Sequence, residues 1–217
     1  ARGKETPVIG SAEERGHPAY ISEGCIPCHS RYSRPGSADE EIWGPSHGAE
    51  ETLKGEPVLI GNRRQGPDLS NIGARRSETW LKVHFLDPRA LAPDSPMPSY
   101  AHLFEDGRGD DLVRYLKLSG TSSITDLMAK SAAWKPVESA EQADGKALYA
   151  KHCAACHGAT GGGNGPLAWH FLRKPANLKQ GPFVWTAAGD DLDPRVSRAI
   201  KFGIPGSDMP GHETLPD

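Results

Sequence analysis

The chain has 217 residues, a formal net charge of −3, 36% hydrophobic and only 7% aromatic residues, and 25 glycines with 19 prolines. That charge gives no electrostatic footing for nucleic acid, and no stretch approaches the roughly 20 apolar residues of a membrane-spanning helix. So many turn formers and so little apolar side chain imply loops and short helices, in one large or two small domains. Their core needs a disulfide, a metal or a large cofactor to complete it.

The chain opens at Ala1-Arg-Gly-Lys without an initiator Met, as expected of a processed product whose export signal or anchor has been removed. The first predicted element is a helix carrying Gly16 and Tyr20. Four apart, they share one face, where a small residue beside an aromatic one lets a second helix cross closely. Cys25-Ile-Pro-Cys28-His29 follows. C-x-x-C-H is the attachment sequence of c-type haem. Two thiols three positions apart reach the two vinyl groups of one porphyrin as thioethers, and the adjacent His29 lies beneath the iron as proximal ligand.

A Gly/Pro-rich loop comes next, with Gly66-Pro67-Asp68-Leu69. The Pro67 carbonyl is the expected acceptor for the ring N–H of His29, fixing its tautomer and raising its basicity. Ser95-Pro-Met97-Pro98 then offers Met97, a soft thioether suited to the sixth position of haem iron; His84 and His102, which flank it, are the alternatives. The domain closes on a helix from Asp110, with Leu112, Tyr115 and Leu116 on one apolar face packed against the Gly16/Tyr20 helix and Ser119-Gly120 ending it. Residues 121–139 read as a linker, with a short helix over 124–134.

The pattern then repeats. Gly145 and Tyr149 precede Cys153-Ala-Ala-Cys156-His157 at the spacing of Gly16 and Tyr20. For the ring N–H of His157, the acceptor is the carbonyl of Pro166 or Pro175. Ser207-Asp-Met209-Pro210 supplies Met209 as sixth ligand, with His170 and His212 as alternatives. No closing helix is predicted after Met209: either the chain is truncated there or another segment fills that role, the 124–134 helix being the candidate. The third methionine, Met128, reads as a core or boundary residue.

Rival uses of the four cysteines fit less well. A thioredoxin-like pair lacks its βαβ surroundings. One zinc site would join pairs 125 residues apart in sequence, wider than structural zinc sites usually span. Neither these nor two disulfides require a His after each pair. The expectation is therefore an all-α chain of two cytochrome c-like domains, 1–120 and 140–217, each a few helices around a covalently bound haem c.

Both halves resemble class I cytochrome c domains, and the first is more specific. Glu23 to Ser30, Gly61 to Leu69, Trp80-Leu-Lys-Val-His-Phe-Leu-Asp-Pro-Arg89 and Ser95-Pro-Met97-Pro-Ser-Tyr100 are similar, in order, to the mono-haem subunit of cbb3-type cytochrome oxidases. The second domain resembles a broad range of small cytochromes c. The resemblance implies a first haem held by Cys25, Cys28, His29 and Met97, with Arg64, Arg75, Arg76, Trp80 and Arg89 as candidates for holding its propionates. It also implies electron delivery to a membrane oxidase or reductase. That family carries an N-terminal membrane anchor, so contact with the membrane is expected only through a removed anchor or a partner.

The expected function is electron transfer outside the cytoplasm, in the periplasm or on the outer face of the cytoplasmic membrane. The chain relays electrons between a redox donor and acceptor, and is not by itself an enzyme. A filled sixth site on each iron separates this from a di-haem peroxidase or thiosulfate dehydrogenase, and from a gas sensor with one open haem.

Overall fold

The computed structural model describes residues 10–53, 57–61, 64–120, 124–136, 144–180, 183 and 192–215. The ends of the predicted linker, 121–123 and 137–139, lie outside them. The described chain is helical with no strand beyond an isolated bridge between Gly203 and Pro210, in keeping with the all-α expectation.

Helix α1, Ala12–Ser22, begins at a capping box. The Ser11 hydroxyl accepts from Glu14 N–H, while the Glu14 side chain returns to Ser11 N–H, so both ends of the first turn are satisfied. Its partner α7, Arg108–Leu118, starts two residues before the predicted Asp110; Asp110 and Asp111 occupy its first turn, the favourable sign for the helix dipole. The two cross at Gly16, where a Cβ would overlap the Asp111 carbonyl and Tyr115 Cβ. Tyr20, Leu112 and Leu116 are buried at this crossing with Ile72, Leu81, Phe85 and Leu103, and Cys25 belongs to the same cluster. Gly120, at φ +74°, turns the chain out of α7 in the left-handed region that favours glycine.

Shorter helices complete the first half: α2 (Ala38–Trp43), α3 (Ala49–Leu53), α4 (Ile72–Arg75), α5 (Glu78–Leu86) and α6 (Pro88–Leu91). α5 is capped by the Ser77 hydroxyl and α6 by the Asp87 carboxylate. The predicted 124–134 helix forms as α8, Ile124–Ala133. It spans the two halves: Lys130 Nζ donates to the Glu40 carbonyl at 2.6 Å, and the Trp134 ring meets Phe202 edge-on at 5.8 Å. Met128 on it is exposed, so it is not a core residue.

In the second half, α9 (Gly145–His152) and α10 (Ala154–His157) carry the second C-x-x-C-H. Unlike Gly16, Gly145 meets nothing: a Cβ there would stand in open space. The close helix crossing expected there is absent among the described residues, and the Tyr149 hydroxyl instead donates to the Gly158 carbonyl at 2.7 Å. The last helix, α11 (Leu192–Phe202), was not predicted.

Candidate haem sites

None of the four cysteines is tied up in a disulfide. In the first site the motif is a tight turn, with Cys28 and His29 N–H both donating to the Cys25 carbonyl. Cys25 is buried, and loss of solvent pushes its thiol up to about 12. The following loop is clamped onto the motif: Gln65 and Gly66 N–H donate to the Cys28 carbonyl, and Leu69 N–H to Ser30.

This clamp sets the imidazole. His29 Nδ1 lies 2.8 Å from the Pro67 carbonyl, so Nδ1 carries the proton and Nε2 is the nitrogen free for iron. Burial lowers the His29 pKa against the opposing pull of that hydrogen bond and of Asp68, keeping the ring in the neutral form a metal requires. Gly66 lies flat against the ring, in space a Cβ would fill.

Asp68, which sequence reasoning passed over, organises the loop. It is fully buried and accepts from Ser30 Oγ, Tyr32 N–H at 2.8 Å, Ser70 N–H at 2.9 Å and Ser70 Oγ. One carboxylate thus ties the segment after His29 to the segment after Pro67. Its only sequence signal was its place in the Gly-Pro-Asp-Leu run.

In the second site the Cys156 and His157 N–H groups donate to the Cys153 carbonyl in the same way. The ring acceptor differs from expectation: His157 Nδ1 lies 3.0 Å from the Ala176 carbonyl, so neither Pro166 nor Pro175 holds it. Pro166 is exposed, between Gly165 and Leu167, whose N–H groups donate back to the Cys156 and Ala155 carbonyls. The Pro175 carbonyl is turned toward Gly163. The next carbonyl along is the one that reaches the imidazole.

The two methionine loops share a device. Met97 N–H donates to Ser95 Oγ at 3.2 Å, and Met209 N–H to Ser207 Oγ at 3.1 Å. Both methionines are half-buried, and Met97 packs on the core cluster of the first half. Of the histidine alternatives, His84 is stacked on Trp80 at 4.8 Å, and burial lowers its pKa to about 4. His102 is exposed and paired with Glu23, and His170 stacks on the exposed Trp169. His212 stands 5.7 Å from His152, its pKa lowered by burial to about 4.

Of the five propionate candidates, three are brought together. Arg75 is buried, its guanidinium over the Trp43 ring and its Nη2 donating to the Asp68 carbonyl at 2.8 Å. Arg76 lies over Trp80 and meets Glu213 through two bonds of 2.9 Å. Arg64 is instead paired with Asp39, and Arg89 is exposed on α6. Arg75 Nε and Nη1, and Arg76 Nε, are buried without a hydrogen-bond acceptor among the described residues. Buried guanidinium N–H groups cost free energy unless bonded, and a carboxylate group such as a propionate answers that need. Together with the C-x-x-C-H turns and the oriented imidazoles, these donors fit a covalently attached haem.

The same place is the seam between the halves. Ser77 Oγ donates to Asp208 at 2.5 Å, beside Met209, and Glu213 lies 3.8 Å from Arg75. Burial pushes the Glu213 carboxyl up, but Arg76 and Arg75 together outweigh it and hold it below the usual carboxylate range.

Residues 6–118 match the cytochrome c oxidase mono-haem subunit (FixO) family. Residues 140–217 match the family described as cbb3-type cytochrome c oxidase, subunit III. No curated protein matches the chain.

Proposed function

We propose a function from one premise: the chain belongs to the FixO family of cytochrome c oxidase mono-haem subunits, extended by a second domain similar to subunit III. Both domains are electron-transfer cytochrome c domains. On that footing the chain is a di-haem relay on the outer side of the cytoplasmic membrane, passing electrons between a redox donor and a membrane oxidase complex.

Haem supplies one-electron Fe(II)/Fe(III) chemistry when bound. The protein's part is to hold it and keep it closed. Cys25 and Cys28, and Cys153 and Cys156, provide the thioether attachments. His29 and His157 offer Nε2, each oriented by a backbone carbonyl on the other ring nitrogen. Met97 and Met209 would supply thioether ligands, and an iron held by His and Met would keep no site for a substrate. Arg75 and Arg76 offer donors to the propionates of the first haem.

The observation that carries the relay reading is the seam. Ser77 and Arg76, next to Trp80 in the first domain, bond to Asp208 and Glu213 on either side of the Met209 loop. A fixed contact between two redox domains at that point favours exchange within the chain over two independent carriers. Redox titration followed by visible spectroscopy tests it, with a pyridine haemochrome assay to count haem. The expected result is two covalent haems per chain, two potentials, and a sulfur–iron(III) band from each. Carbon monoxide binding to the intact reduced protein would replace the relay with catalysis or gas sensing.

A further inference from the structure

The charge of this chain is unevenly placed. Between Asp144 and Asp190 there is no Asp or Glu, but there are five basic residues: Lys146, Lys151, Arg173, Lys174 and Lys179. The whole chain, by contrast, carries −3. Lys151 is paired with Asp94 of the first domain at 2.5 Å. Arg173, Lys174 and Lys179 are exposed and meet no carboxylate among the described residues. Lys174 Nζ donates to the Ala168 carbonyl at 3.2 Å and Lys179 Nζ to Thr160 Oγ1 at 2.9 Å, contacts that leave both charges uncompensated.

Within this basic stretch lie the most exposed large apolar side chains of the described residues. Leu172 is 96% exposed and Trp169 71%. Clustered apolar exposure with a charged rim marks a surface that another molecule covers. The same loop reaches the second haem site directly. Ala176, three residues past Arg173, holds His157 through its carbonyl, and Leu178 N–H donates to Gly161 at 2.7 Å.

We infer that this face, centred on Trp169, Leu172, Arg173 and Lys174, is the docking surface of an acidic one-electron redox protein that exchanges electrons with the second domain. The inference rests on the relay reading. Its chemistry is the transfer of one electron between the two iron or equivalent centres, with no atom or proton moved. An acidic partner follows from the uncompensated cations. A second copy of this face would bring like charges together. A lipid surface is usually met by an amphipathic helix, whereas here two side chains project from a 3₁₀ turn and the bend after it.

The test uses the full di-haem chain and two probes of one fold and opposite charge: a basic mono-haem cytochrome c and its succinylated, acidic form. Stopped-flow mixing measures electron exchange at low and physiological salt. Arg173→Glu with Lys174→Glu is expected to slow exchange with the acidic probe by about ten-fold or more at low salt, without slowing the basic one. The difference should shrink near physiological ionic strength, where the Debye length falls to about 8 Å. Leu172→Ser with Trp169→Ser should slow the acidic probe at every salt concentration. Unchanged exchange in the charge-reversed variant overturns the inference. So does a variant whose only loss is binding to phosphatidylglycerol vesicles, which would assign the face to the membrane. Fewer than two haems in the parent chain would instead overturn the relay reading, which the haemochrome assay reports separately.

Discussion

The two domains carry the same motif order but are built on different cores. In the first, α1 and α7 cross tightly at Gly16 and bury Tyr20, Leu112 and Leu116 against Leu81 and Phe85. In the second, Gly145 stands at the matching position facing open space, and the buried apolar side chains among the described residues are Ala168 and Phe171. The first domain thus has a protein core onto which a haem is added. The second has mainly its one C-x-x-C-H turn, its loops and its seam with the first. A repeated sequence motif specifies the cofactor chemistry and leaves the source of stability open.

The harshest way to break the comparison is to remove the thioether attachments. Cys153→Ser with Cys156→Ser is expected to halve the haem content and to abolish hydrogen-exchange protection across 145–178. Cys25→Ser with Cys28→Ser should halve the haem content too, yet leave protection in α1 and α7, whose burial does not depend on the porphyrin. Equal loss in both domains would show that the first core is no more self-sufficient than the second.

The matched glycines sharpen it with less disruption. Gly16→Ala places a methyl group on the Asp111 carbonyl and Tyr115 Cβ, an overpacking that costs about 1–3 kcal/mol. Gly145→Ala meets no atom and should change the unfolding free energy by less than about 0.5 kcal/mol, or raise it through better helix propensity. Chemical denaturation of the two variants side by side checks both.

Much of this was legible in the sequence. The two C-x-x-C-H turns were legible because c-type haem attachment fixes residue type and spacing, and both close in the same way. The α1/α7 crossing was legible because Gly16 and Tyr20, and Leu112, Tyr115 and Leu116, fall at helical intervals. The His157 acceptor was not: any backbone carbonyl can accept, so residue type says nothing about whether Pro166, Pro175 or Ala176 is within reach. Nor was Asp68, whose role comes from four donors brought to it by folding. Glu213 was hidden for a similar reason. Its partners Arg75 and Arg76 lie far away in sequence, and only the docking of the two halves joins them.

That docking is the next target. Glu213→Gln removes the charge from a buried pair with Arg76, at a cost of roughly 1–3 kcal/mol. The pH dependence has a definite sign. The folded carboxyl is held below its ordinary range, so its contribution is complete above the unfolded value near about 4.3. It is lost as the pH falls through the lower, folded one. In the parent chain the two domains should therefore uncouple as the pH falls below the ordinary glutamate range, and in Glu213→Gln that acid transition should vanish. Flash photoreduction, with the rate of equilibration between the domains followed against pH, is the measurement.

The smallest effect separates the methionine loops. Ser95→Ala and Ser207→Ala each remove one acceptor from a methionine N–H, worth about 0.5–1 kcal/mol. The loops are not equally supported, however. The Met97 loop is also held by Ser99 Oγ on the Leu86 carbonyl at 2.7 Å and Tyr100 N–H on the Phe85 carbonyl at 2.8 Å, both at the end of α5 in the first domain. The Met209 loop is tied mostly within itself, by Ile204 N–H on the Met209 carbonyl at 3.1 Å and by Ser207 N–H at 3.1 Å and Oγ at 2.7 Å on the Ile204 carbonyl, and to the first domain by Ser77 across the seam; Ser207→Ala removes that Oγ bond as well. Losing one bond of several should leave the sulfur–iron band of the first domain almost unmoved on heating. The same loss in the second domain should lower the temperature at which its band disappears, and Ser77→Ala should add to that fall although Ser77 belongs to the other domain. If Ser77→Ala leaves the second band untouched, the seam does not support Met209, and the two domains hold their irons independently.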